Sequence, residues 1–216
     1  DLELLAVAGA HGLLFEQGGC GLAGRGEAAR LEVPGGAERA SSVAAVQEAL
    51  AALTGKDDVH VPGTGPVAFG ALPFDPTVSG TLVVPALVVG RAEDGTRWCT
   101  TIGRDEAEHA AAEAHLADAR NRAAMPSATG RADGPSAFSV RPVRTPVEWC
   151  ASVHEATERM AATALHKAVL AREVVIEADE PLDLITIVDR LRSTYPGCMI
   201  SSIDGMPPQS FFSLCS

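Results

Sequence analysis

The chain has no basic cluster. Seventeen lysines and arginines stand against 28 aspartates and glutamates, a net charge of −11. Phosphate binding needs a basic stripe that releases counterions, so nucleic acid is a poor partner. There is no long hydrophobic run either. The longest, Thr81 to Val89, contains Pro85 and is too short to cross a bilayer. The opening Asp1-Leu2-Glu3 is acidic where a secretory signal would be basic. Cys20, Cys99, Cys150, Cys198 and Cys215 are odd in number, widely spaced and without a Cys-x-x-Cys pair. That argues against a zinc site and fits reduced thiols in a cytoplasmic protein. His11, His60, His109, His115, His154 and His166 form no His-x-His, His-x-x-x-His or His-Glu-x-x-His pattern, so surface or local hydrogen-bonding roles are expected for them. No nucleophile elbow is present.

What is present is enough apolar sequence for a packed core, 46% of 216 residues. Leu13 to Glu16 and Gly21 to Val33 read as paired strands around the turn Gln17-Gly18-Gly19. Ser41 or Ser42 offers an N-cap for a helix whose Val43, Val46, Leu50 and Leu53 recur at helical spacing before Gly55. Val67 to Leu72, Thr81 to Val89 and Thr96 to Ile102 read as strands, the last two joined through Asp94-Gly95. Asp105 to Ala124 reads as a mostly exposed helix whose only large apolar residue is Leu116. Met125 to Pro142, rich in Pro, Ser, Gly and Asp, reads as a loop. Thr145-Pro146-Val147-Glu148 is a capping box opening a helix to about Ala164. Lys167 to Ile176 reads as a strand, Asp183 caps a helix that ends before Pro196, and Cys198 to Asp204 reads as the final strand. Hairpins dominate and regular βαβ units are missing, which predicts an α+β fold of antiparallel sheets flanked by helices.

Gly19-Cys20-Gly21-Leu22-Ala23-Gly24 matches Gly-x-Gly-x-x-Gly literally. A dinucleotide loop must open into a helix that receives the pyrophosphate. Here Pro34-Gly35-Gly36 follows too soon for one, so the segment reads as a glycine-rich hairpin. Lys167 is the candidate for chemistry. On alternation it shares a strand face with Val169 and Ala171. A lysine there is costly unless paired or deprotonated, the circumstance that makes a lysine a general base. A strand-end lysine that snorkels to water is the plainer reading of the local sequence.

Lys167-Ala168-Val169-Leu170-Ala171-Arg172 closely resembles the Lys-Val-Val-Leu-Ala-Arg motif of isochorismate synthases. Ala68-Phe69-Gly70-Ala71-Leu72-Pro73-Phe74-Asp75 resembles another segment of that family. Trp149 in the capped helix and the Tyr195-Pro196-x-Cys198 turn follow in the family's order, so the resemblance spans roughly residues 10 to 204. It implies a large α+β domain that binds chorismate with Mg²⁺ in a deep cleft. It also implies that Lys167 is the base activating water for attack at C2 of the ring, while a glutamic acid protonates the departing C4 hydroxyl. The isochorismate would feed siderophore or menaquinone biosynthesis. The lysine speaks against anthranilate synthase and leaves salicylate synthase and aminodeoxychorismate synthase open.

Two departures accompany the resemblance. No glutamate follows Gly205, where the family continues Gly-Ala-Ser-Pro-Glu, and Thr163 stands where it often has glycine. The expectation is therefore of the N-terminal part of one chorismate-utilising domain over residues 1–216. The Mg²⁺ ligands would be outside it, and the chain would be inactive by itself. The alternative expectation is a non-catalytic remnant or an interaction fragment.

Overall fold

The corners of this antiparallel fold are set by glycine and proline. A computed structural model describes residues 2–124, 135–206 and 209–215. The chain divides into one unit of Asp1–Thr129 with Asp183–Ser216 and another of Gly130–Leu182. In chain order the first unit contains α1 (Leu4–Ala8), β1 (Leu13–Gln17), β2 (Cys20–Arg25), β3 (Ala29–Val33), α2 (Arg39–Ala51), β4 (Phe69–Ala71), β5 (Gly80–Val84), β6 (Leu87–Arg91), β7 (Arg97–Thr101) and α3 (Glu106–Ala124). The second unit contains β8 (Phe138–Pro142), α4 (Pro146–Ala162) and β9 (Val174–Ala178). The first unit then resumes with α5 (Leu184–Thr194), β10 (Met199–Met206) and β11 (Gln209–Cys215). A six-stranded sheet runs β11-β10-β1-β2-β6-β7, a three-stranded sheet β3-β5-β4, and a two-stranded sheet β8-β9. The α+β class with antiparallel sheets and helices is as the sequence predicts.

The β1–β2 hairpin closes at Gln17↔Cys20. Gly18 and Gly19 sit at φ +58 and +82, as a tight two-residue turn requires. Because Cys20–Arg25 is a strand, the Gly-x-Gly-x-x-Gly pattern is a hairpin here. The predicted single strand Gly21 to Val33 is in fact two. Gly26, at φ +68, turns the chain so that β2 belongs to the large sheet and β3 to the small one. Thr81 to Val89 breaks the same way at Pro85-Ala86, since proline has no N–H for a ladder. β5 lies in the small sheet and β6 in the large one. Strands that switch sheets at such corners are how two packed sheets are joined.

One core lies where α1, α3 and α5 meet the large sheet. It gathers Leu4, Val7, Leu14, Leu87, Val188 and Ile200, with Leu116 and Leu191 packed beside them. A second, of Leu13, Phe69, Val83 and Ile203, joins β1 and β10 to the small sheet. α1 has no counterpart among the predicted elements, although Leu4, Leu5, Val7 and Ala8 are all buried. Five residues are too few to show helical periodicity. α3 seats itself through Ala112 and Ala119, both fully buried, small residues that let the helix approach closely.

α2 begins at Arg39, earlier than predicted, and Ser41 and Ser42 are not caps. Both hydroxyls donate to the Glu38 carbonyl at 2.8 Å, the back-bonding open to serine within a helix. Only Val46 of its apolar stripe is buried. The Asp94-Gly95 turn forms as predicted, with Asp94 Oδ1 accepting from the Thr96 N–H at 2.8 Å. Asp183 likewise caps α5 through the Ile185 N–H at 3.1 Å.

Gly90, on β6, faces Trp98 across the sheet. A Cβ at position 90 would stand 2.1 Å from Trp98 Cε2. The indole is held in place by its N–H, which donates to the Gly63 carbonyl at 3.1 Å. Gly90→Ala is therefore expected to cost about 1–3 kcal/mol as overpacking, read as a lower urea midpoint. An unchanged midpoint would show that the indole moves aside freely.

In the second unit, Val140↔Ile176 centres the β8–β9 pair. β8 corrects the expected loop at 125–142: its last five residues form a strand, while 125–134 lie outside the described residues. α4 carries the predicted capping box, with the Thr145 side chain accepting from the Glu148 N–H and the Glu148 carboxylate accepting from the Thr145 N–H at 2.8 Å. Thr163 ends α4 at φ −133, ψ 179, extended backbone that any residue adopts, so this helix end does not need glycine.

Candidate functional site

Lys167 lies between α4 and β9 in the second unit, exposed and outside regular structure. This corrects the predicted strand from Lys167 to Ile176, which begins only at Val174. The reason is the missing neighbour. A strand exists through its ladder, and β8 is fully used by Val174–Ala178, from Phe138↔Ala178 to Pro142↔Val174. Opposite residues 167–172 the chain has already turned into Thr145 and α4. The apolar residues of the motif are open too: Val169 is 83% and Leu170 41% exposed. The burial that would make Lys167 costly is not provided by the described residues.

The other motif residues fall in ordered places. Phe69 is buried in the second core of the first unit, and Phe74 stands fully exposed. Asp75 closes the following turn, accepting from the Thr77 N–H at 2.8 Å and the Thr77 hydroxyl at 2.7 Å. Those two donors hold its carboxyl below the usual carboxylate range. Trp149 is half-buried on α4. The Tyr195 turn forms, its carbonyl accepting from the Cys198 N–H at 3.0 Å. Cys198 to Asp204 is not the final strand, because β10 continues to Met206 and pairs with β11 from Met199↔Cys215 onward.

Among the described residues no group of three or more His, Cys, Asp or Glu side chains could hold a metal ion. The described residues thus assemble no three-ligand set for Mg²⁺. No helix among them is long and apolar enough to cross a membrane. The five cysteines are free thiols.

A charged cluster that local sequence signals do not reveal lies in the first unit. Glu16, on β1, is 4% exposed. Arg192 of α5 reaches Glu16 at 3.5 Å and Glu3 at 3.1 Å, and Arg91 of β6 lies 3.7 Å from Glu3. Its members are scattered from residue 3 to residue 192, so only the fold assembles them. Burial pushes the Glu16 carboxyl up, and the Arg192 guanidinium opposes this less strongly. The sign follows from linkage. A carboxyl whose pKa is higher folded than unfolded contributes stability below its unfolded value, and that contribution is lost as pH rises through the folded value. Glu16→Gln is thus expected to reduce the loss of stability between pH 4.5 and pH 7.5, measured by urea unfolding at both. An equal or larger loss in the variant would reverse the assignment.

No curated protein and no solved structure matches the chain. The family model described as chorismate binding enzyme matches residues 14–215. That match runs past Asp204, the limit of the motif resemblance, and takes in β11. With nearly every strand of the first unit and all of the second inside it, the chain belongs to the family of chorismate-binding enzymes.

Proposed function

We propose that this chain belongs to an isochorismate synthase in which Lys167 is the general base. The observation that supports the reading most is Lys167 in the run Lys167-Ala168-Val169-Leu170-Ala171-Arg172, inside a chain matched to the chorismate-binding family. In the proposed step the Lys167 amine takes a proton from water, and the oxygen adds to C2 of chorismate. The ring double bonds shift and the C4 hydroxyl leaves as water once protonated. Proton transfer by a positioned amine is the part that this chain's own residues supply. Mg²⁺ would be held by ligands outside the described residues, among which no group of three or more His, Cys, Asp or Glu side chains is found.

The test is incubation of the whole protein to which this chain belongs with chorismate and Mg²⁺, with products separated by chromatography. Isochorismate as the sole product supports the reading. Salicylate with pyruvate would replace it by a salicylate synthase, and an aminated product formed with ammonia by an aminodeoxychorismate synthase. No turnover would favour the second reading, a non-catalytic interaction fragment. That reading draws on the open apolar side chains of the second unit, such as Val147 at 79% and Val169 at 83% exposed.

A further inference from the structure

β7 is the last strand of the large sheet, and among the described residues no strand pairs with its outer side. Its ladder to β6 fixes which backbone groups face outward. The Ala92 N–H donates to the Thr96 carbonyl and the Ile102 N–H to the Ala86 carbonyl. Antiparallel partners alternate between bonded and non-bonded pairs. In the register from Leu87↔Thr101 to Arg91↔Arg97, Val89↔Cys99 is therefore non-bonded, and the N–H and C=O of Cys99 point away from β6. Proline and bulges, which blunt natural sheet edges, are absent from Arg97–Thr101.

α3 flanks this edge. A hollow of about 690 Å³ between the two is lined by Cys99 and Thr101 of β7 and by Glu113, Leu116, Ala117 and Arg120 of α3. Glu113 and Arg120 are exposed, and neither has a hydrogen-bond or ion-pair partner among the described residues. They stand seven residues apart, two helical turns or about 10 Å along the axis, so both project from one side of α3. A free anion and a free cation placed in this way are self-complementary. When two copies of α3 lie antiparallel about Leu116 and Ala117, each Glu113 meets the Arg120 of the other. Closed two-fold contacts are made of such reciprocal pairs. The strand calls for the same axis, because the hollow brings Cys99, the middle residue of β7, beside that midpoint.

We infer that a second copy of this chain docks here through a two-fold axis, β7 against β7 and α3 against α3. Cys99 exchanges its outward N–H and C=O with Cys99 of the second copy. Arg97 then stands opposite Thr101, so no like charges meet across the joined strands. The charge complementarity of Glu113 and Arg120 fixes the orientation.

The test is sedimentation velocity of the whole protein to which this chain belongs, under reducing conditions and over a range of concentrations. A reversible dimer is expected. Glu113→Arg and Arg120→Glu each turn two attractive pairs into repulsive ones and should raise the dissociation constant roughly tenfold or more. The double exchange Glu113→Arg/Arg120→Glu should restore the dimer. Both positions are exposed, so the fold should persist, which circular dichroism checks. Glu106→Arg, on the same helix but outside the hollow, should leave the dimer unchanged. Mild oxidation supplies a second readout. Cα atoms of a bonded pair lie about 5.5 Å apart, within the reach of a disulfide, so a cross-linked dimer should form and be lost in Cys99→Ser. A monomer at every concentration, a dimer indifferent to both single reversals, a double exchange no tighter than the singles, or no cross-link through Cys99 would each overturn the assignment.

Discussion

In the whole protein, replacing Lys167 with alanine is expected to lower the rate of chorismate conversion by roughly 10²–10⁴-fold, the usual contribution of a positioned general base. The fold should be unaffected, because Lys167 is exposed and has no ion-pair partner among the described residues. Far-UV circular dichroism and the urea midpoint of the variant should therefore match those of the parent. Lys167→Arg separates charge from basicity. A guanidinium keeps a cation in place but does not give up its proton in proteins. It is expected to lose turnover as completely as alanine. If arginine restores the rate, Lys167 acts as a fixed positive charge and the base lies elsewhere. Undiminished turnover in the alanine variant would remove Lys167 from the reaction altogether.

The largest effect on stability is expected at Leu14. It is 1% exposed on β1 and belongs to the cluster that includes Leu4, Leu87, Val188 and Ile200. Those residues come from α1, β6, α5 and β10, so one side chain ties together segments from both ends of the sequence. Leu14→Ala removes three carbons from this junction and leaves a cavity that neighbours on paired strands cannot collapse to fill. A loss of about 2–5 kcal/mol is expected, a large share of the ~5–15 kcal/mol that holds a typical domain folded. Val169→Ala, at 83% exposure, provides the contrast and should change stability by less than about 0.5 kcal/mol. Equal losses at the two positions would show that position 169 is covered in solution.

Elements with a complete local signal were legible in the sequence. The Thr145 capping box, the Asp183 cap and the Asp94-Gly95 turn each place donors and acceptors within a few residues, and each forms where expected. Elements that depend on a distant partner were not. Lys167 to Arg172 alternates like a strand, but no strand of the described residues lies opposite it. Phe138 to Pro142 is bracketed by loop-forming residues, yet becomes a strand because Val174 to Ala178 pairs with it. Ser41 and Ser42 fail for the opposite reason, since a nearby carbonyl at Glu38 captures both hydroxyls.

The candidate sites follow the same division. The lysine motif is contiguous and could be read directly. The Glu16 cluster needs residues from positions 3 and 192, a separation that no local pattern can encode.

The pairing of β1 with β10, Leu13 opposite Ile203, has a consequence for how the molecule is made. On the ribosome, β1 and β2 emerge together, but β10, the neighbour that β1 needs on its other side, follows only after β3 to β9. Until then one edge of β1, with Leu14 beside it, has no native cover. Loop-closure entropy makes such distant pairings slow to form, and exposed strand edges invite association with other chains. The 53 residues of Gly130–Leu182 are synthesised inside this waiting period. Co-translational chaperone occupancy should accordingly be highest while they are being added, and should fall once β10 docks.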